Sequence, residues 1–130
     1  MLSMLAMECG IDAFAGAEVD VLWQKSQALF DFLTAHMATH CPQLNLITPR
    51  DAAQRGSHAS YAHPDAWPIN NALIAQGVIG DFRTPDVLRL GLTPLYTSFE
   101  DVARAVQTLS GLMATEEWRK PEYAAKSKVT

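Results

Sequence analysis

Between Gly77 and Tyr96 the chain reads GVIGDFRTPDVLRLGLTPLY, two short apolar runs with turn signals on both sides. Gly77 follows an apolar helical segment and stands where a left-handed residue closes a helix, a conformation glycine adopts without a Cβ clash. The β-branched Val78 and Ile79 then predict a strand that Gly80 and Asp81 close. Thr84, Pro85 and Asp86 make a turn, and Val87, Leu88, Arg89 and Leu90 resume extended structure. Side chains alternate across a strand, so Leu88 and Leu90 share one face and Arg89 takes the other. With helices on the leucine face, Arg89 points to whatever lies beyond the sheet.

Upstream of this run, Ala66 to Gln76 predicts a helix capped by Asp65, with Pro68 tolerated in the first turn and Ile69 and Leu73 on the buried side. Gly56 to Ala62 alternates Ser57, Ala59 and Tyr61 against His58, Ser60 and Ala62, which suits an edge strand. Leu44 to Thr48 reads as a further short strand and Pro49 to Arg55 as a polar loop. Val19, Leu22, Trp23, Leu29, Phe30, Leu33 and Met37 follow the three-and-four spacing of an amphipathic helix, the longest in the chain, ending near His40 before Pro42. Leu2 to Ala15 is apolar, is broken at Gly10 and Gly16, and is expected to be the remainder of a longer helix that packs against a neighbour.

Downstream, Ser98 and Asp101 have the spacing of a capping box, opening a helix from Phe99 to Met113 whose stripe is Val102, Val106, Leu109 and Met113. Beyond Thr115 the polar run EEWRKPEYAAKSKVT is expected to fray. The fold class is α/β of the two-layer α+β kind: a small sheet of three or four strands with helices on one face. The chain divides into a helical segment at 1–16, an α/β domain at 17–115 and a polar tail at 116–130.

The 130 residues are 48% hydrophobic and 18% charged, an ordinary globular balance for one domain. A net charge of −4 argues against non-specific binding to nucleic acid or to an anionic membrane, since both need basic patches. The start MLSMLAMECG meets Glu8 too soon for a signal peptide or a membrane span. Cys9 and Cys41 have no framework spacing and read as reduced thiols of a cytoplasmic protein.

Few residues carry chemistry. Taken alone, Arg89 reads as a surface arginine or as the partner of Asp81 or Asp86. Asp81 and Arg83 read as a turn-stabilising pair or as a contact to another domain. His36 and His40 stand four apart beside Cys41, but no glutamate lies between them and no further ligand cluster follows, so no metal site is predicted. His58 and His63 lack a nucleophile or carboxylate partner in sequence and carry no assigned role.

The run from Gly80 to Val102, GDFRTPDVLRLGLTPLYTSFEDV, resembles the closing segment of kynureninases, pyridoxal-phosphate enzymes of the aspartate-aminotransferase fold type. Its marks are the Asp81-x-Arg83 turn, Arg89 with Gly91 two residues on, and Pro94-Leu95-Tyr96 before the last helix. The resemblance extends through Arg55-Gly56-Ser57 and His63-Pro64, and more loosely through Ala17 to Phe32, and so covers the chain up to Thr115. It implies the C-terminal small domain of a homodimeric enzyme that hydrolyses L-kynurenine to anthranilate and L-alanine, in tryptophan breakdown and the route to nicotinamide cofactors. At the position of Arg89 that family carries an arginine for the substrate α-carboxylate, for which a planar bidentate fork is suited.

In that family the lysine that holds the cofactor sits in a preceding large domain. Here Lys25 lies on an amphipathic helix and Lys120, Lys126 and Lys128 in the tail, and no glycine-rich loop offers a phosphate cradle. No catalytic residue and no cofactor-binding residue is therefore predicted, and the chain is expected to be inactive by itself. Two rivals remain: a stand-alone carboxylate-binding module using Arg89, and a non-functional remnant of a broken gene.

Overall fold

The computed structural model describes residues 2–12 and 14–125. Helix α1 (Leu2–Asp12) and the long α2 (Val19–His40) precede strand β1 (Asn45–Leu46) and a 3-10 turn at Ala52–Gln54. Strand β2 (His58–Ala62), helix α3 (Ala66–Ala75), strands β3 (Asp81–Arg83) and β4 (Val87–Gly91) and helix α4 (Phe99–Thr115) follow. A 3-10 turn at Glu117–Arg119 and helix α5 (Pro121–Ala124) close the described chain.

The sheet is antiparallel throughout, in the order β1-β2-β4-β3. Register sets Ala59 against Leu90, Tyr61 against Leu88, and Phe82 against Leu88, so these side chains form one face. They pack with Leu29, Phe30, Leu33 and Met37 of α2, Ile69 and Leu73 of α3, and Val106 and Leu109 of α4 as a single core. This is the expected small α+β layer with helices on the leucine face.

Several boundaries differ from the sequence reading, each for a local reason. Val78 and Ile79 are outside the strand, which starts at Asp81. The Gly77 N–H donates to the Ile74 carbonyl at 3.0 Å and the Val78 N–H to the Leu73 carbonyl at 2.9 Å, with Gly77 at φ +82°. That double closure is a Schellman cap, and it commits the Val78 amide to α3 instead of to the sheet. Strand β2 is interior, not an edge, because β1 pairs its outer side through Asn45–Ala62 and Leu46–Tyr61. Strand β1 itself keeps only two residues of the expected five.

Asp65 occupies the N-cap position of α3 without capping it by its side chain. Its φ of −101° and ψ of 28° lie outside the extended region that aims a capping carboxylate at the first turn. The work passes to His63, whose carbonyl accepts from Ala66 N–H at 2.9 Å and whose Nδ1 accepts from Asp65 N–H at 3.0 Å. The Ser98–Asp101 capping box is present in full, and α4 runs two residues past Met113.

The expectation of a fraying tail is overturned for residues 116–125. Trp118 is only 5% exposed and meets the His63 ring edge-on at 5.9 Å. Asn71 Nδ2 on α3 donates to the Tyr123 carbonyl at 2.8 Å. One tryptophan outweighs its charged neighbours, because burying a large ring removes more apolar surface than the neighbouring charges need give up. Residues 126–130, also assigned to the tail, lie outside the described residues.

The N-terminal part is the reverse case. Every described side chain from Ser3 to Asp12 is exposed, Met4, Leu5, Met7 and Ile11 among them. On α2 the stripe is buried only from Ser26 onward, and Val19 remains 78% exposed. An apolar surface thus runs from α1 over the first turns of α2. No helix among the described residues is long and apolar enough to cross a membrane.

Candidate functional site

The open face of the sheet carries the residues that alternate with the core. Register pairs Arg89 with Asp81 on one side and with Ser60 on the other, and Gly91 with His58. Arg89 Nε donates to Asp81 Oδ2 at 2.9 Å, and Arg89 Nη2 donates to the same oxygen. Arg83 Nε reaches that oxygen as well, at 3.0 Å. The ion pair considered for Arg89 therefore forms, with Asp81 and not Asp86, because Asp81 is its cross-strand partner.

This arrangement leaves a defined remainder. Arginine has five N–H donors, and Asp81 takes two of those on Arg89. Among the described residues, Nη1 of Arg89 makes no hydrogen bond, so the end edge formed by Nη1 and Nη2 stays open. The Arg89 side chain is 34% exposed and borders a shallow pocket of about 350 Å³ lined by His58, Ile79, Gly80, Asp81 and Gly91. Two guanidinium charges against one carboxylate leave the cluster positive. Hydrogen bonding from Arg89, then the nearby Arg83 charge, holds the Asp81 carboxyl below the usual aspartate range, so it is ionised at neutral pH.

Three contributors are not legible in the sequence. In sequence Gly80 marks a strand end; in the fold it lies against Asn70 of α3, with no room for a side chain. In sequence Gly91 is a motif glycine and His58 a histidine without a role, and their register places them together at the pocket wall. Arg55, part of the Arg-Gly-Ser motif, sets its guanidinium 3.7 Å from the centre of the Phe30 ring, a cation–π contact. His63 belongs to the start of α3 and lies outside this pocket.

His36 and His40 stack with ring centroids 6.0 Å apart, but Cys41 is buried in the core. Burial pushes the Cys41 thiol up to about 11, which disfavours the thiolate a metal would need. No group of three or more metal-ligating side chains forms among the described residues.

The chain is thus a small α+β domain with a cationic open sheet face and an exposed apolar surface on its first helices. Residues 22–109 match the family model described as the kynureninase C-terminal domain, and the chain belongs to that family. It is 48% identical to the kynureninase of Burkholderia mallei strain SAVP1 over 132 residues, covering 100% of this chain and 32% of the relative. The figures are the same for the kynureninase of Burkholderia pseudomallei strain K96243. For the kynureninase of Pseudomonas fluorescens they are 41% identity over 130 residues, 98% of this chain and 31% of the relative. The chain spans about a third of the length of these curated relatives.

Proposed function

We propose that this chain is the C-terminal portion of a kynureninase-like enzyme, and that Arg89 binds the α-carboxylate of the amino-acid substrate. The observation that carries the reading is the open end edge of the Arg89 guanidinium, set in a positive pocket on the uncovered side of the sheet. A carboxylate meets that edge through two parallel charge-assisted hydrogen bonds. The parent reaction is hydrolysis of L-kynurenine to anthranilate and L-alanine, and the enzyme works as a cytoplasmic homodimer.

Pyridoxal phosphate, which the kynureninase family uses, finds no holder among the described residues. Lys120 pairs with Glu117 on the surface, and Lys25 lies part-way along α2. The N-terminus of α4 is taken by Ser98 and Asp101, whose carboxylate repels a phosphate. On this reading the cofactor is held by a large domain, and this chain contributes substrate binding and orientation. The same partner accounts for the apolar surface of α1 and the first turns of α2, which a stand-alone carboxylate-binding module would leave in water.

The test is to supply a kynureninase large domain, fused ahead of the chain or co-expressed with it. Kynurenine hydrolysis should depend on both pieces, with none from the 130-residue chain alone. Activity from the chain alone, or none from a folded and cofactor-loaded combination, would contradict the reading.

A further inference from the structure

We propose that Asp81 is the positioning residue of Arg89, turning its guanidinium so that the Nη1–Nη2 edge faces the pocket. This deepens the carboxylate reading and rests on it. The strand register brings the pair together: Asp81 is directly opposite Arg89, and the two side chains share the open face. Both Arg89 bonds run to one oxygen, Oδ2, from Nε and Nη2, which is the side edge of the guanidinium. A side chain held by that edge cannot also use it for a ligand, so the ligand must approach end-on.

Arg83 completes the device. By donating to the same oxygen at 3.0 Å it keeps the carboxylate anchored from the other side and returns the charge that Asp81 cancels. Without Arg83, the Asp81–Arg89 pair would be neutral overall and would attract an anion weakly. Gly91, next on the same face of β4, and Gly80, beside Asp81, add no side chain in front of the tip. The opposite role is also physically definite: Asp81 could compete with the ligand for Arg89, and its removal would then tighten binding.

The experiment uses acetate as a carboxylate probe of the 15N-labelled 130-residue chain, and kynurenine turnover in the chain joined to a large domain. In the unaltered chain the Arg89 Nε–H resonance should be protected from exchange, and acetate should perturb the Nη groups more than Nε. Asp81→Asn should lose that protection and weaken the acetate response about tenfold, the scale of re-immobilising one flexible side chain. Asp81→Ala should weaken it further, since asparagine retains an acceptor oxygen. In the joined enzyme the same substitutions should raise KM for kynurenine with little change in kcat, a split that a loss of stability alone would not produce. Unchanged or tighter carboxylate binding in both Asp81 variants would overturn the positioning role. Arg89→Ala separates the two claims: if it alone abolishes the acetate response, the carboxylate reading stands whatever Asp81 does. If it has no effect, the reading beneath this proposal falls.

Discussion

The amide oxygen Oδ1 of Asn70 stands 2.6 Å from the point a Cβ on Gly80 would occupy, so helix α3 and the start of β3 touch where no side chain fits. The same point is 3.2 Å from Leu88 Cδ1 and 3.4 Å from the Arg89 carbonyl oxygen. The glycine is there for close approach and not for its backbone angles.

Gly80→Ala must push Asn70 or β3 aside, at a cost of about 1–3 kcal/mol for an overpacked core position. Among the described residues Asn70 Oδ1 is buried without a hydrogen-bond partner, so Asn70→Ala in the same chain should recover part of that loss. Urea denaturation of the two single variants and the double variant measures the coupling. Strict additivity would mean that the two residues do not meet as described.

Trp118→Ala should cost about 3 kcal/mol, in the range for deleting a buried tryptophan side chain. The expectation follows from its burial against α3 and His63. A change under about 0.5 kcal/mol in the same denaturation assay, the usual size for an exposed position, would restore the picture of a loose tail.

Two carboxylates make the fold sensitive to acid. The Ser98 hydroxyl, then its backbone N–H, lowers the Asp101 pKa, and the Arg89 hydrogen bond lowers that of Asp81. Each folded pKa is below the unfolded one, so the stability they add is present above the ordinary aspartate value of 3.8 and is lost as pH falls through the lower folded values. Ser98→Ala removes a helix cap, at a cost of about 1 kcal/mol near neutral pH. It should also flatten the acid limb, as followed by circular dichroism between neutral pH and the acid transition. An unchanged acid limb would show that the capping box does not set it.

The parts of the fold that sequence made legible are those fixed by neighbours in the chain. Gly77 at the end of α3, the Ser98–Asp101 box and the alternation of Leu88, Arg89 and Leu90 each depend on two to six consecutive residues. The rest depended on contacts between distant segments. The two-residue β1 makes β2 interior, and Leu73 captures the amide of Val78, which shortens β3 at its start. Trp118 reaches α3 from a charged stretch that gave no hint of a core. For the site, Arg89 was legible, together with two candidate partners. Only the cross-strand register chose Asp81 over Asp86, and with it which edge of the guanidinium remains open.

The most direct measurement is kcat/KM for kynurenine with Arg89→Lys in the chain joined to a large domain. Lysine keeps the charge but loses the fork, so one of two parallel bonds to the carboxylate disappears, worth roughly 1.5–3 kcal/mol for a bond to a charged group. The account predicts a fall in kcat/KM of about tenfold to a hundredfold with cofactor affinity unchanged. Full retention of kcat/KM, or loss of cofactor affinity along with activity, would contradict it.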